Sequence, residues 1–205
     1  MKQETNKETT YDFQDCKGPV PAKRHINPDS SIGGWVADTA EVYGNARVLD
    51  NAMVFGVAEV SEDAIVFGNA EVLGNAWVSG NAWVGGNAEV YGNAEVSGDA
   101  EVYGNAKLSG NAIVSGDAAV YGNAEVYGNA EVFGDAEVSE KAMVFENASV
   151  FENASVFGDA RVSGDAKVFG NALVSEKAAV FGDAWVYENA KLSGNSKITL
   201  DKPEE

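Results

Sequence analysis

Residues 86–116 read "GNAEVYGNAEVSGDAEVYGNAKLSGNAIVSG", and the same pattern of residue types returns every six positions. An aliphatic residue occupies every sixth position from Val36 to Ile198, 28 positions in all, and only three of them are not Val. Two residues earlier in each repeat, Ala fills all 26 positions from Ala40 to Ala190. No insertion or deletion interrupts this register, so the sequence predicts one structural unit repeated along the chain.

The six-residue spacing favours short strands over helices. An Ala-x-Val segment in extended conformation places both side chains on one face and the flanking residues on the other. A helix is excluded because Gly every six residues and Val at a six-residue period cannot form a stripe of period 3.6. A meander of such short antiparallel strands would bury little, whereas a solenoid stacks each strand on its equivalent in the next coil. Three six-residue sides close an 18-residue coil, and 28 sides give about nine coils.

Two turn residues separate the strands. The first is Gly, except at seven positions that hold Asp or Glu, and the second is Asn or Asp at 23 of the 26 positions from Asn45 to Asn195. Asn and Asp tolerate a left-handed backbone better than other residues that carry a side chain. We therefore predict that the second position has the positive φ, which makes Val57, Lys141 and Lys177 the strained turns.

Repeats such as Val-Tyr-Gly-Asn-Ala-Glu resemble the hexapeptide repeat of left-handed parallel β-helix proteins. The array is similar to bacterial and phage "GNAxVYG"-type proteins, including the Gly-Gly-Trp-Val start at Gly33 to Val36. This resemblance covers about four fifths of the chain. It implies an all-β fold, a single-stranded left-handed parallel β-helix wound as a triangular solenoid. The left-handed winding is implied by the resemblance alone, because parallel crossovers elsewhere are nearly always right-handed.

The extent of the repeat divides the chain into three parts. Residues 1–34, with three prolines, are expected to form an irregular N-terminal cap or tail. Residues 35–199 form the hexapeptide-repeat β-helix, and residues 200–205 form a C-terminal tail that is very short for a cap. We expect that end of the rod to be open to a partner or to another copy of the chain.

Charge and cysteine content restrict the partners. The chain has 14 basic and 32 acidic residues, a net charge of −18, so direct binding to nucleic acid or to an anionic membrane is not expected. A basic protein partner, mimicry of a nucleic acid and simple solubility of the rod all fit this charge. The single cysteine, Cys16, excludes an internal disulfide, and the absence of an apolar leader or an ~18-residue apolar stretch predicts a cytoplasmic protein.

Most of the Tyr and Phe residues directly follow the aliphatic position and should face outwards in columns. Four of them are eighteen residues apart on one side: Phe133, Phe151, Phe169 and Tyr187. Stacked rings stabilise a sheet by about 0.2–1 kcal/mol a pair, and four adjacent rings also form an apolar patch of the kind found at interfaces. Trp77 and Trp83, on adjacent sides of one coil, are a candidate binding anchor or exposed residues without a role.

The repeat offers little catalytic chemistry. Many proteins with the hexapeptide repeat are trimeric acyltransferases, in which a catalytic His on a coil takes a proton from the molecule that accepts the acyl group. Here His25 is the only histidine and precedes the first coil, and no loop leaves the repeat. We expect no cofactor and no metal. Asp99, Asp117 and Asp135 should stack at one corner, where a solvated ladder of turn residues is favoured over a bound cation.

The sequence thus favours a non-catalytic acidic β-helical rod that acts as a protein-interaction or self-assembly module and forms homo-oligomers. Within that class, it could mimic a nucleic acid or inhibit a host protein. One alternative is a hexapeptide-family acyltransferase that uses His25 of a neighbouring chain and acyl-coenzyme A. Another is a sponge that holds a small ligand between associated rods, with Trp77, Trp83 or the Ser columns lining the site.

Overall fold

The structure is a computed structural model that describes residues 9–200, and this part of the chain is entirely strands and turns. None of its segments is a helix long and apolar enough to cross a membrane. The strands are β1 (Thr10–Tyr11), β2 (Val20–Ile26), β3 (Ile32–Ala37), β4 (Glu41–Val42), β5 (Arg47–Val48), β6 (Met53–Val54), β7 (Glu59–Val60), β8 (Ile65–Val66), β9 (Glu71–Val72), β10 (Trp77–Val78), β11 (Trp83–Val84), β12 (Glu89–Val90), β13 (Glu95–Val96), β14 (Glu101–Val102), β15 (Lys107–Leu108), β16 (Ile113–Val114), β17 (Ala119–Val120), β18 (Glu125–Val126), β19 (Glu131–Val132), β20 (Glu137–Val138), β21 (Met143–Val144), β22 (Ser149–Val150), β23 (Ser155–Val156), β24 (Arg161–Val162), β25 (Lys167–Val168), β26 (Leu173–Val174), β27 (Ala179–Gly182), β28 (Trp185–Val186), β29 (Lys191–Leu192) and β30 (Lys197–Leu200).

Every third strand of the repeat belongs to the same parallel sheet. Sheet 1 contains every third strand from β3 to β30, and β1 and β2 extend it beyond β3, at the N-terminal end of the rod, which we call the lower end. Sheet 2 runs from β4 to β28 and sheet 3 from β5 to β29, with nine strands each. Partner residues are eighteen apart, as in Val90 opposite Leu108 and Leu108 opposite Val126. The predicted β-solenoid of about nine 18-residue coils is confirmed, while its handedness stays a prediction.

The Ala and aliphatic columns fill the interior. Val90, Leu108 and Val126 lie one above another with no exposed surface. Burying each such side chain contributes about 1.5–3 kcal/mol. The backbone of each coil bonds to the next, for example from Glu89 N to Ala106 O at 2.9 Å and from Tyr91 N to Leu108 O at 3.0 Å. This regular core holds the outward-facing residues of successive coils in register.

The prediction about the turns is wrong, because the first turn position has the positive φ. Every turn glycine with positive φ occupies that position, as do the seven Asp and Glu residues that replace it. Val57, Lys141 and Lys177, at the second position, are not among the residues with positive φ. A positive φ at the first central residue alone is the pattern of a type II′ turn, which favours Gly there. Space favours Gly as well, since a Cβ on Gly134 would lie 2.9 Å from the backbone N of Glu152 in the next coil.

Acidic residues at the first turn position have a compensating contact. In five of these seven turns the carboxylate accepts a hydrogen bond from the backbone N–H of the glycine one coil further on. These pairs are Asp50 with Gly68, Glu62 with Gly80, Glu146 with Gly164, Glu152 with Gly170, and Glu176 with Gly194. The donor–acceptor distances are 2.6–3.0 Å. Each bond offsets part of the strain of a positive φ at a residue with a Cβ.

Asn occupies the second turn position for a different reason, which is stacking of its amide. From Asn75 to Asn147, each Nδ2 donates to the Oδ1 eighteen residues later at 2.8–2.9 Å, and Asp165 accepts from Asn147. A similar ladder runs from Asn51 to Asn123. Side-chain amides therefore tie successive corners together while the backbone there keeps a negative φ.

The chain before the repeat adds antiparallel strands below the first coil. Residues 1–34 were expected to be irregular, but their described part contains β1 and β2, and β2 pairs with β3. The buried Asn27 accepts from Val48 N at 2.9 Å and donates to Val48 O at 3.3 Å, which satisfies the backbone at the edge of sheet 3. Phe13 stacks on Phe55 at 4.6 Å and covers the lower end of sheet 1.

The opposite end of the rod is less covered. Ala190 is exposed, and Leu192 and Ile198 are only partly buried, although their equivalents in the middle coils have no exposed surface. Of the predicted tail 200–205, Leu200 belongs to β30 and residues 201–205 lie outside the described part of the chain, as residues 1–8 do at the other end.

Candidate interaction surfaces

The four aromatic residues singled out on sheet 2 form one continuous stack, which we call the aromatic ladder: Phe133, Phe151, Phe169 and Tyr187. Successive ring centroids are 4.9, 4.9 and 5.4 Å apart, and the first two pairs are within 2° of parallel. Such short separations arise because the strands β19, β22, β25 and β28 pair in register. The sequence therefore predicted this stack correctly, and its role as an interface is a prediction.

Trp185 extends the aromatic ladder, although the sequence analysis did not identify it as a candidate. Its ring meets Phe169 edge-on at 6.1 Å, and the ammonium of Lys167 lies 5.5 Å from its centroid. The three Phe rings are half-buried, whereas Trp185 is 55% exposed and Tyr187 is 48% exposed. The signal was available, because Trp185 precedes Tyr187 by two residues on one strand.

Stacked rings occur on the other two sheets as well, so stacking alone does not mark a site. Tyr103 and Tyr121 on sheet 3, and Tyr127 and Phe145 on sheet 1, stack at 5.0 Å. These are stacks of two rings, whereas the aromatic ladder has four and ends in two exposed aromatic side chains. Length and exposure distinguish the aromatic ladder from these shorter stacks.

Charge is distributed unevenly along the rod. Residues 38–140 contain 17 acidic and two basic residues, whereas residues 141–200 contain seven acidic and six basic ones. The net charge of the first segment is therefore −15 and that of the second is −1. Most of the aromatic ladder lies in the second segment. The rod is thus strongly acidic over about six coils and nearly neutral over the last three.

Trp77 and Trp83 lie on adjacent sides of one coil, as predicted, and both are exposed, by 42% and 49%. The indole N–H of Trp77 donates to the hydroxyl of Ser61 at 3.3 Å. The ring of Trp83 instead meets Phe67 edge-on, with centroids 6.2 Å apart and planes at 87°. The two tryptophans therefore have different surroundings, and only Trp83 is part of an aromatic group.

A cleft of about 380 Å³ opens beside Trp83, and we call it the Trp83 cleft. Its lining residues are Phe67, Trp83, Gly86, Glu101, Tyr103 and Gly104. It exists because Gly85 interrupts the outward column between Phe67 and Tyr103. The ring of Phe67 lies over Gly85 in the space that a Cβ would occupy. Burial raises the pKa of Tyr103, with further contributions from Tyr121 and from the carboxylate of Glu101.

Asp99, Asp117 and Asp135 occupy one corner of three successive coils, as predicted, and His25 lies elsewhere in the chain. His25 lies on β2, half-buried below the first coil. Burial lowers the pKa of His25, and a hydrogen bond to the backbone of Ala46 opposes that effect. Within residues 9–200, no group of three or more His, Cys, Asp or Glu side chains is placed to hold a metal ion, and this includes the column Asp99, Asp117 and Asp135.

Comparison with known proteins assigns neither a family nor a function to this chain. No protein-family model and no curated protein matches this chain.

Proposed function

We propose that this protein is a non-catalytic acidic rod that associates with copies of itself through the aromatic ladder. The observation that carries the proposal is the position of this four-ring stack. It runs into the nearly neutral last three coils and ends in the exposed side chains of Trp185 and Tyr187. Association of this kind would make the chain a self-assembly module.

Electrostatics supports contact at this end of the rod. Two copies that met along residues 38–140 would bring together segments of net charge −15 each. Like charges repel within about 8 Å at physiological ionic strength, which is the separation across a close interface. The segment 141–200, with a net charge of −1, does not impose that penalty.

The rigidity of the aromatic ladder also favours association. Each ring is already held by its neighbours at 4.9–5.4 Å, so little side-chain freedom remains to be lost on binding. Rigid aromatic side chains are enriched at the centres of interfaces for this reason. Four coils at ~4.8 Å each make the contact surface ~19 Å long.

The end of the rod offers a second supporting feature. Within residues 9–200, the strands β28, β29 and β30 end their sheets, and Leu192 and Ile198 of the interior columns are only partly buried there. Strand edges of this kind pair readily with other chains. They lie in the coil that contains Tyr187, so one interface could cover both the edges and the end of the aromatic ladder.

The test is the mass of the protein in solution before and after the rings are replaced. Analytical ultracentrifugation of the unmodified chain should give a multiple of 21.5 kDa. Phe151→Glu combined with Phe169→Glu should give the monomer mass, because it places two carboxylates on the contact surface. The matched control is Tyr127→Glu with Phe145→Glu, which disrupts a similarly half-buried stack on sheet 1 and should leave the oligomer intact.

A monomeric unmodified chain, or an oligomer that survives the double change on sheet 2, would refute the proposal. The dependence of binding on salt concentration distinguishes self-association from binding to a basic partner. Self-association against a residual negative charge should strengthen as salt rises, whereas capture of a basic protein by the acidic segment should weaken.

A further inference from the structure

We propose that the Trp83 cleft is a binding site for a methylated ammonium group, such as the head of choline or the side chain of trimethyl-lysine. The site combines three aromatic side chains with one carboxylate, those of Phe67, Trp83, Tyr103 and Glu101. It lies in the acidic segment, apart from the aromatic ladder.

The shape of the Trp83 cleft comes from one missing side chain. Gly85 leaves a gap in the column of outward residues on sheet 3, and the ring of Phe67 lies over it. Phe67 then stands at 87° to Trp83, so that two aromatic walls meet at a corner. Tyr103, which is 38% exposed and stacked on Tyr121, lines the cleft from one coil further along the rod. Rings that surround a concave space are the arrangement that binds quaternary ammonium groups.

The charge of the site selects a cation. Among the described residues that line the cleft, Glu101 is the one that is charged. The surrounding segment, residues 38–140, has two basic residues against 17 acidic ones, so an anion would be repelled. A bare metal ion is also a poor ligand, because hard cations require several oxygen ligands and this cleft offers a single carboxylate.

Methylation of the cation follows from the apolar walls. A simple ammonium is strongly hydrated and would lose its hydration shell against the aromatic rings. Methyl groups spread the charge over an apolar surface, which the rings can contact directly while their faces attract the cation. The ligand therefore needs both a positive charge and an apolar shell.

A pair of isosteric probes tests this requirement. Choline and its uncharged carbon analogue 3,3-dimethylbutanol would be titrated into ¹⁵N-labelled protein while the indole N–H signals of the four tryptophans are followed. Choline should shift the Trp83 signal with a Kd of about 1 mM or tighter. The uncharged analogue should bind at least about fivefold more weakly, because it lacks the attraction to the ring faces. Equal binding of the two probes, or no shift with choline, would overturn the proposal.

Substitutions locate the binding. Trp83→Ala should weaken choline binding at least about fivefold through loss of one ring face. Glu101→Gln should weaken choline binding about two- to fivefold, as expected for the loss of one exposed charge. The matched controls are Trp77→Ala, an exposed indole whose strand partners are Glu59 and Glu95, and Glu131→Gln, an exposed carboxylate on sheet 2. If the controls weaken choline binding as much as the cleft variants do, binding is a property of the acidic surface and the proposal is wrong.

Gly85→Ala tests the shape of the site, since the new Cβ would occupy the position of the Phe67 ring. Displacement of that ring should abolish choline binding, and unchanged binding would contradict the geometry.

A peptide with trimethyl-lysine and the same peptide with unmodified lysine then separate the two sources of the ligand. Tighter binding of the trimethylated peptide than of choline assigns the site to a protein partner, and tighter binding of choline assigns it to a small molecule.

Discussion

The acidic turn residues allow one test of how the corners are stabilised, which is replacement of Glu152 by Gly. Glu152 has a φ of 60°, and its carboxylate accepts a hydrogen bond from Gly170 N at 2.9 Å. Glycine would remove both the strain and the bond. The change therefore measures whether the carboxylate contributes more than the positive φ costs.

The contributions can be estimated separately. A positive φ costs a residue with a Cβ about 1–2 kcal/mol, and Gly would recover that amount. Gly loses about 0.5–1 kcal/mol through the greater entropy of its unfolded chain. A hydrogen bond to a charged group contributes about 1.5–3 kcal/mol, and we take the lower end of this range for an exposed corner. We expect Glu152→Gly to reduce the free energy of unfolding by about 1 kcal/mol.

Glu140 is the matched control for Glu152. Its φ is 61°, and a glycine, Gly158, occupies the corresponding position one coil later. Among the described residues, the Glu140 carboxylate accepts no bond from Gly158. Glu140→Gly should therefore raise the free energy of unfolding by about 0.5 kcal/mol, since strain is relieved and no bond is lost. Urea denaturation followed by circular dichroism measures both variants. Equal changes in the two variants, or a more stable Glu152→Gly, would refute the reasoning.

Three further predictions concern the core, the corners and the N-terminal segment. Leu108→Ala should lower the free energy of unfolding by about 3 kcal/mol in the same urea experiment, because Leu108 has no exposed surface and the narrow interior cannot collapse around the cavity. Asn111→Asp should lower the free energy of unfolding by about 1 kcal/mol, measured by thermal unfolding. The new carboxylate can still accept from Asn93, but it cannot donate to the Oδ1 of Asn129. Hydrogen bonds from the hydroxyl and N–H of Ser31, with help from Arg47, lower the pKa of Asp29 to about 2. Its contribution to stability should be present above pH ~3.8 and lost as pH falls towards ~2, and Ser31→Ala should move the carboxyl titration seen by NMR to higher pH.

The sequence predicted the fold well because a single rule repeats 28 times. An Ala-x-Val segment has one buried face, and its six-residue period permits one simple stacking. The φ values were harder, since Gly and Asn are both compatible with a left-handed backbone. The structure shows it at the first position, where the next coil also favours Gly, because a Cβ on Gly134 would lie 2.9 Å from the backbone N of Glu152. Asn111 instead forms part of an amide stack with Asn93 and Asn129. This stack can be recognised only once the positions of three successive coils are known.

The candidate surfaces were predictable to different degrees. Counting by eighteen brought Phe151 and Phe169 together, because stacking follows directly from register. The Trp83 cleft was not predictable in the same way. Its position depends on the rotation of Phe67 into the space above Gly85, and a rotamer is not encoded in the period. From the sequence, Trp83 was a candidate binding anchor and a candidate lining residue for a small ligand, but the ring of Phe67 that forms the other wall of the cleft was not included.

The two surfaces proposed here arise from opposite changes to the same pattern. On sheet 2 four rings stack without interruption, whereas on sheet 3 one glycine interrupts the outward column beside the Trp83 cleft. Because each coil of a solenoid contacts only its neighbours, a change at Gly85 should be felt by the coils that contain Phe67 and Tyr103 and should not reach Phe151. Gly85→Ala should therefore abolish choline binding and leave the oligomeric mass unchanged. The Phe151→Glu with Phe169→Glu variant should give the monomer mass and leave choline binding unchanged. A variant that altered both properties would mean that the coils are coupled over a longer range than nearest-neighbour packing allows.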